Sequence, residues 1–278
     1  MNANNSFVSV SWLASHYLDP NIIVLDASIL TALDNSTVYI PNSQVFDYSQ
    51  VFCDPSASLP CTMPSDKHFT ERARLLGINQ QSKIIVYDQR GLFYAPRAWW
   101  MFKSMGLHEV YVLAGGLPKW LEKNLPTTAQ PRSDISPGNF SAVFESDYFV
   151  NGAQVLTAIE GHADTAESTV IDVRSAERFY GRELETRAGL RSGHIPNSIN
   201  FPFSEIVSAG ELVSSQALKQ QFAQLMPYKD QHYIFSCGSG VTACITLMAA
   251  WGLGYSNLSV YDGSWTDWGA DHRLPIEV

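Results

Sequence analysis

Tyr233–Trp251 reads YIFSCGSGVTACITLMAAW, and the reading of this stretch decides the architecture. A short apolar run ending at Ser236 has the length and composition of a buried strand. Cys237 follows at once, then Gly238, Ser239 and Gly240, then an apolar run at helical period from Val241 to Trp251. A small-residue loop between a strand and a helix turns successive backbone N–H groups toward one point. Such a nest, at the positive end of a helix, favours negative charge. A cysteine placed there is a sulfur nucleophile in waiting. An isolated cysteine is also commonly a small buried hydrophobe, so the loop takes its meaning from the rest of the chain.

With 278 residues the chain is long enough for one large domain or two ordinary ones. Apolar residues make up 45% and charged residues 16%, which fits a globular protein with a substantial core. A formal net charge of −9 argues against nucleic acid or anionic membranes as general partners. An acidic protein that handles an anion must do so with locally placed arginines. The N-terminal stretch has neither a basic segment nor a long apolar core, so it does not read as a secretory signal. No apolar run approaches the length of a membrane span. Four cysteines (Cys53, Cys61, Cys237, Cys244) are too few for a disulfide scaffold of this size, which points to a reducing, cytoplasmic setting.

An internal repeat organises the chain. Leu25-Asp26-Ala27-Ser28 matches Ile171-Asp172-Val173-Arg174, and Tyr39-Ile40-Pro41-Asn42-Ser43 matches His194-Ile195-Pro196-Asn197-Ser198. Ile84–Asp88 matches Tyr233–Cys237, and Gly116–Trp120 matches Gly263–Trp268 with a slip of one residue. The matches keep their order at a nearly constant offset of about 150 residues, the signature of a tandem duplication. Strands are expected at Ile22–Asp26, Ile84–Asp88 and Val110–Leu113, then at Val170–Val173, Tyr233–Ser236 and Leu258–Tyr261. Helices are expected at Ser11–Tyr17, Lys67–Leu76 and Ala95–Met105, then around Asn151–Ile159, Ser215–Leu225 and Thr242–Trp251. Alternation of this kind predicts an α/β fold: two tandem domains, each a mainly parallel sheet flanked by helices. The expected division is 1–124, a linker at 125–140 rich in Pro, Ser and Thr, and 141–278. The position equivalent to Cys237 is Asp88, which cannot accept sulfur, so the first domain is read as catalytically silent.

The tandem repeats, the His194-Ile195-Pro196 motif with its counterpart at Tyr39, and CGSGVTA at Cys237–Ala243 resemble the 3-mercaptopyruvate sulfurtransferases, in the tandem-domain rhodanese family. The resemblance runs from Trp12 to Pro275 and includes Ala95–Trp100 and Tyr261–Trp265. It implies a sulfurtransferase that moves sulfur from 3-mercaptopyruvate, or a similar small anionic donor, to a thiol, cyanide or thioredoxin-like acceptor, with no cofactor. The family's active cysteine falls on Cys237, which would carry the sulfur as a persulfide. Its two substrate-binding arginines fall on Arg178 and Arg187. Gly238, Gly240, Val241 and Thr242 would shape the anion cradle, and Ser239 would lie beside the donor. The small, neutral Gly238 and Ser239 suit a monoanion, where the thiosulfate enzymes carry basic residues. One departure stands out: Ser49 and Cys61 occupy places where related enzymes often have an Asp and a His, so a proton relay through Ser239 is not implied.

Other roles are plainer. Arg178 and Arg187 lie in a charged stretch, Ala176–Arg191, which without the family spacing reads as a solvated loop. His194, Asp26 and Asp172 read as turn-forming residues, Trp265 and Trp268 as core or cleft wall, and Cys244 as buried. No histidine pair stands at metal-ligand spacing, which argues against a metal site. A cysteine phosphatase would need an arginine shortly after the nucleophile, and Ala243 and Cys244 stand there instead. Two alternatives stay open: a thiosulfate sulfurtransferase, and a non-catalytic module that only accepts persulfide sulfur.

Overall fold

A computed structural model describes residues 6–29, 37–160 and 168–278. The chain forms two compact units. Unit 1 draws on Met1–Ala57, Met63–Glu145 and Ala209–Glu211, and unit 2 on Ser58–Thr62, Ser146–Ser208 and Leu212–Val278.

In unit 1 the elements run β1 (Phe7–Val8), α1 (Val10–Ala14), β2 (Ile22–Asp26), β3 (Gln44–Val45), α2 (Asp66–Leu75), β4 (Lys83–Tyr87), α3 (Ala95–Ser104), β5 (Val110–Leu113) and α4 (Gly116–Glu122). In unit 2 they run β6 (Phe149–Val150), α5 (Gly152–Glu160), β7 (Ser168–Asp172), α6 (Ala176–Phe179) and β8 (Ile199–Asn200). A hairpin, β9 (Val207–Ser208) and β10 (Glu211–Leu212), precedes α7 (Ser215–Leu225), β11 (His232–Ser236), α8 (Ala243–Gly252), β12 (Leu258–Tyr261) and α9 (Ser264–Trp268). The five-stranded sheets have the orders β1-β5-β4-β2-β3 and β6-β12-β11-β7-β8. Every pairing in them is parallel. Position for position, the two orders are the same.

The expected α/β class and the longer strands are found within a residue or two. The short edge strands β1, β3, β6 and β8 and the short helices α4, α6 and α9 were not anticipated. Two-residue strands carry no alternating pattern, so only pairing with a neighbour defines them. Central strands β4 and β11 are buried on both faces, as parallel sheets require. Trp120 is fully buried in the core of unit 1, and Trp265 and Trp268 in that of unit 2. Trp120 and Trp268 each donate an indole N–H to a carbonyl, of Pro126 at 2.8 Å and Pro275 at 2.7 Å. The proline-rich stretch after α4 lies along unit 1, where Arg132, Gly138 and Phe140 donate backbone N–H groups to Ser43, Arg74 and Ile78.

Helix starts reveal what the strand ends must do. Four helices are capped by a serine hydroxyl: α1 by Ser9, α2 by Ser65, α6 by Ser175 and α7 by Ser214. Helix α3 has no such local cap. Its first turn is capped from the end of β4, by Asp88, whose Oδ2 accepts the N–H groups of Phe93, Tyr94 and Ala95 at 2.8–2.9 Å. Oδ1 accepts that of Arg90 at 2.8 Å. A fully buried carboxylate is thus held by four amides. Asp88→Asn sets an amide NH2 against N–H donors, and we expect it to destabilise unit 1 by about 1–3 kcal/mol, read as a lowered urea midpoint.

Candidate active site

Strand β11 ends at Ser236 and presents Cys237 to the loop that enters α8. The loop matches the Asp88 loop closely. Each has a left-handed glycine three residues after its key residue, Gly91 with φ +100° and Gly240 with φ +72°. In each, the key residue's carbonyl accepts an N–H from the start of the last helix, Leu117 to Asp88 and Trp265 to Cys237, both at 3.0 Å. The second loop is one residue shorter, since α8 starts six residues after Cys237 and α3 seven after Asp88. Counted from the strand end, Ser239 answers to Arg90; counted back from the helix starts, Val241, Thr242 and Ala243 answer to Phe93, Tyr94 and Ala95. Helix α8, like α3, has no side-chain cap of its own. No carboxylate takes that place here, because the residue at the strand end is Cys237. Backbone N–H groups at such a loop and helix start favour a negative group.

Cys237 is 2% exposed, its main chain fastened on both sides. Its N–H donates to Ser264 Oγ at 3.1 Å, and that hydroxyl donates to Tyr261 O at 2.8 Å. Ser264 adopts φ +49°, where Gly116 of unit 1 has φ +52°. The serine tolerates a glycine-like backbone because its hydroxyl holds the Cys237 amide. Behind it, burial and donation to Asp267 push the Tyr261 hydroxyl well above the ordinary phenol range. Gly238 O accepts Thr266 Oγ1 at 2.6 Å and Thr266 N at 2.9 Å. The same Thr266 hydroxyl accepts Arg187 Nη1 at 3.1 Å.

Both expected arginines come to this loop. A side-chain carbon at Gly238 would lie 3.5 Å from Arg178 Nη2 and 3.8 Å from Arg187 Nη1. Both are ordinary van der Waals distances, so position 238 lies directly against the two guanidiniums. Val241 is buried beside the loop, whereas Ser239 and Thr242 are partly exposed. Among the described residues, the Ser239 hydroxyl has no hydrogen-bond partner. Cys244 is buried and its thiol donates to Gly240 O at 3.4 Å. In unit 1, Ser49 Oγ donates to Asp47 Oδ1 at 2.7 Å, while Cys61 belongs to the short segment that unit 2 takes from the first repeat.

Three residues important to this geometry escaped the sequence: Arg174, Glu185 and Thr266. Arg174 is buried after β7, ion-paired to Asp172 (2.6 Å) and to Glu185 (2.8 Å), with Gly193 O accepting Nη2 at 2.8 Å. Its guanidinium stacks 4.2 Å from the Trp265 ring. Glu185 also takes Arg178 in a two-pronged ion pair. The stretch Ala176–Arg191 is thus not simply solvated, since Glu185 has a side chain only 1% exposed. A signal lay in the repeat, where Arg174 stands opposite Ser28. The other arginines are spent or peripheral: Arg191 donates to the carbonyls of Trp268, Gly269, Asp271 and Leu274, and Arg182 forms an exposed pair with Glu177. His194 stacks on Phe179 and hydrogen-bonds its carbonyl through Nδ1, a turn residue.

The rhodanese-like domain family matches residues 9–123 and again residues 155–271. The chain belongs to the rhodanese family. Among family members, the 3-mercaptopyruvate sulfurtransferase of Escherichia coli K12 is 38% identical over 98% of this chain and 97% of its own length. The thiosulfate/3-mercaptopyruvate sulfurtransferase 1 of Arabidopsis thaliana, a mitochondrial protein, is 33% identical over 97% of this chain and 77% of its own. Among solved rhodanese structures, Escherichia coli SseA, described as having the fold and mechanism of 3-mercaptopyruvate sulfotransferases, superposes with a TM-score of 0.81. It is 34% identical, covering 94% of this chain and 99% of that one.

Within this rhodanese site the arginines divide into built-in and available ones. Arg174→Met leaves the buried Asp172 carboxylate without its ion-pair partner and Glu185 with Arg178 alone, and we expect a loss of about 3–5 kcal/mol. Arg187→Met removes a single hydrogen bond and costs about 1 kcal/mol or less. Guanidinium unfolding of the two variants side by side checks the contrast.

Proposed function

We propose that the chain is a 3-mercaptopyruvate sulfurtransferase that works through a persulfide on Cys237. The observation that carries this reading is the meeting of one sulfur atom, an uncapped helix start and two guanidinium groups at the end of β11. The relatives' activities support the donor class.

The chemistry follows from the residues. The Cys237 thiolate attacks the sulfur of 3-mercaptopyruvate, forming an S–S bond while the C–S bond breaks. The electron pair of the broken bond passes to the departing carbon skeleton as the enolate of pyruvate, which then takes a proton at carbon. Negative charge grows on the former ketone oxygen, and Arg178 and Arg187 hold that oxygen and the carboxylate by fork-like hydrogen bonds. The outer sulfur of the persulfide, once deprotonated, lies before the amides of Ser239, Val241, Thr242 and Ala243. Gly238 and Gly240 line the cradle, and Ser239 borders the donor. Attack on the outer sulfur by a thiol, by cyanide or by a thioredoxin-like protein releases Cys237 as thiolate. Unit 1, with Asp88 filling its own cradle, takes no sulfur. Along the sequence, the proposed division is a silent repeat at 1–124, a joining stretch at 125–140 and a catalytic repeat at 141–278. The thiol chemistry fits a reducing, cytoplasmic compartment, and among the described residues no helix is long and apolar enough to cross a membrane.

Mass spectrometry after exposure to 3-mercaptopyruvate is expected to find one added sulfur, on Cys237, which acceptor thiol then removes. Cys237→Ser should keep its stability and lose turnover with every donor; substantial residual turnover in that variant would falsify the assignment. A marked preference for thiosulfate in the unsubstituted enzyme would instead favour the thiosulfate sulfurtransferase. Arg187→Ala should raise KM for 3-mercaptopyruvate about tenfold or more, with a smaller change in kcat, in steady-state assays.

A further inference from the structure

The two arginines beside Gly238 differ in what surrounds them. Arg178 is bound by the carboxylate of Glu185, through Nε at 3.3 Å and through Nη2 more closely. Glu185 is in turn shared with Arg174, which is itself paired to Asp172. Counted along this chain, two carboxylates face two guanidiniums. Three of the four side chains are 0–1% exposed, and Arg178 is 21% exposed, at the edge toward Gly238. Arg187 stands outside the count. Among the described residues its partner is the Thr266 hydroxyl, which is neutral, and no carboxylate lies within ion-pair distance. Five charged groups therefore leave one uncompensated positive charge facing the loop.

We propose that Glu185 is the residue that sets the donor site's charge, and through it the preference for a singly charged over a doubly charged sulfur donor. The inference rests on the proposed use of this site for 3-mercaptopyruvate and deepens it. 3-Mercaptopyruvate brings one negative charge in its carboxylate, and thiosulfate brings two. One free guanidinium neutralises the first. Thiosulfate keeps a surplus negative charge, held close to the buried carboxylate of Glu185, where solvent screens it poorly. Arg178 keeps its N–H donors for orientation while its charge is cancelled from behind. Charge balance, rather than the shape of the loop alone, then selects the donor.

The test compares kcat/KM for 3-mercaptopyruvate and thiosulfate, with cyanide as acceptor, at low ionic strength. Glu185→Gln keeps the shape and removes one negative charge, and the ratio of thiosulfate to 3-mercaptopyruvate efficiency should rise about tenfold. Glu185→Asp, which keeps the charge, should hold the unsubstituted ratio. Glu185→Gln combined with Arg178→Gln restores the charge count and should return the ratio toward the starting value. A purely structural role for Glu185 predicts that both donors suffer alike, and an unmoved ratio in folded Glu185→Gln overturns the proposal. Should that variant not accumulate as folded protein, Arg178→Gln at the partly exposed partner reads the opposite sign. It must lower the ratio, and an unmoved ratio there is equally fatal. Absence of 3-mercaptopyruvate turnover in the unsubstituted enzyme overturns the donor assignment itself, whereas normal turnover with an unmoved ratio in the variants overturns only the role of Glu185.

Discussion

A helix that begins just past a buried strand leaves its first N–H groups aimed at the strand's last residue, and something negative must meet them. This demand organises both halves of the protein. In unit 1 the Asp88 carboxylate meets it, taking four backbone amides at 2.8–2.9 Å. In unit 2 the backbone keeps the same glycine position and the same carbonyl tie to the last helix, while the residue that follows the strand is Cys237. One repeat satisfies its cradle permanently. The other, in the proposed cycle, satisfies it with a sulfur anion that comes and goes, which is how a structural need becomes a catalytic one.

Around that cradle the protein divides its charges by depth. Arg174 lies inside, bound by Asp172, Glu185 and a ring, and it acts as part of the core. Arg191 likewise serves carbonyl groups of the C-terminal segment. Arg178 is half committed, and Arg187 is held by a hydroxyl alone. An acidic chain thereby keeps a small positive spot where an anionic donor is expected. Desolvation explains the economy: a buried guanidinium must be paired, so the charges available to a ligand are those nearest solvent.

The loop is held by hydrogen bonds from outside it. Ser264, in a backbone conformation that usually calls for glycine, holds the Cys237 amide, and Thr266 holds both the Gly238 carbonyl and Arg187. Helix α9 thus fixes the nucleophile's backbone and one guanidinium with neighbouring residues. Placement of this kind favours preorganised catalysis, because little reorientation remains to be done when charge develops.

Much of this was legible along the chain. Apolar runs of strand length, helical periods and the four ordered matches between halves were sufficient for the α/β class, the central strands and the place of Cys237, because those signals are local and repeated. The arginines Arg178 and Arg187 were found through family spacing rather than through chemistry. The partners that give them different characters were not legible. Glu185 sits in a stretch as charged as any surface loop, and its burial follows only from Arg174 arriving at the end of β7. Thr266 reaches Arg187 across 79 residues of sequence. Local pattern determined which elements form and in what order. Tertiary structure alone decided which charges cancel, since cancellation depends on distances between side chains that no periodicity encodes.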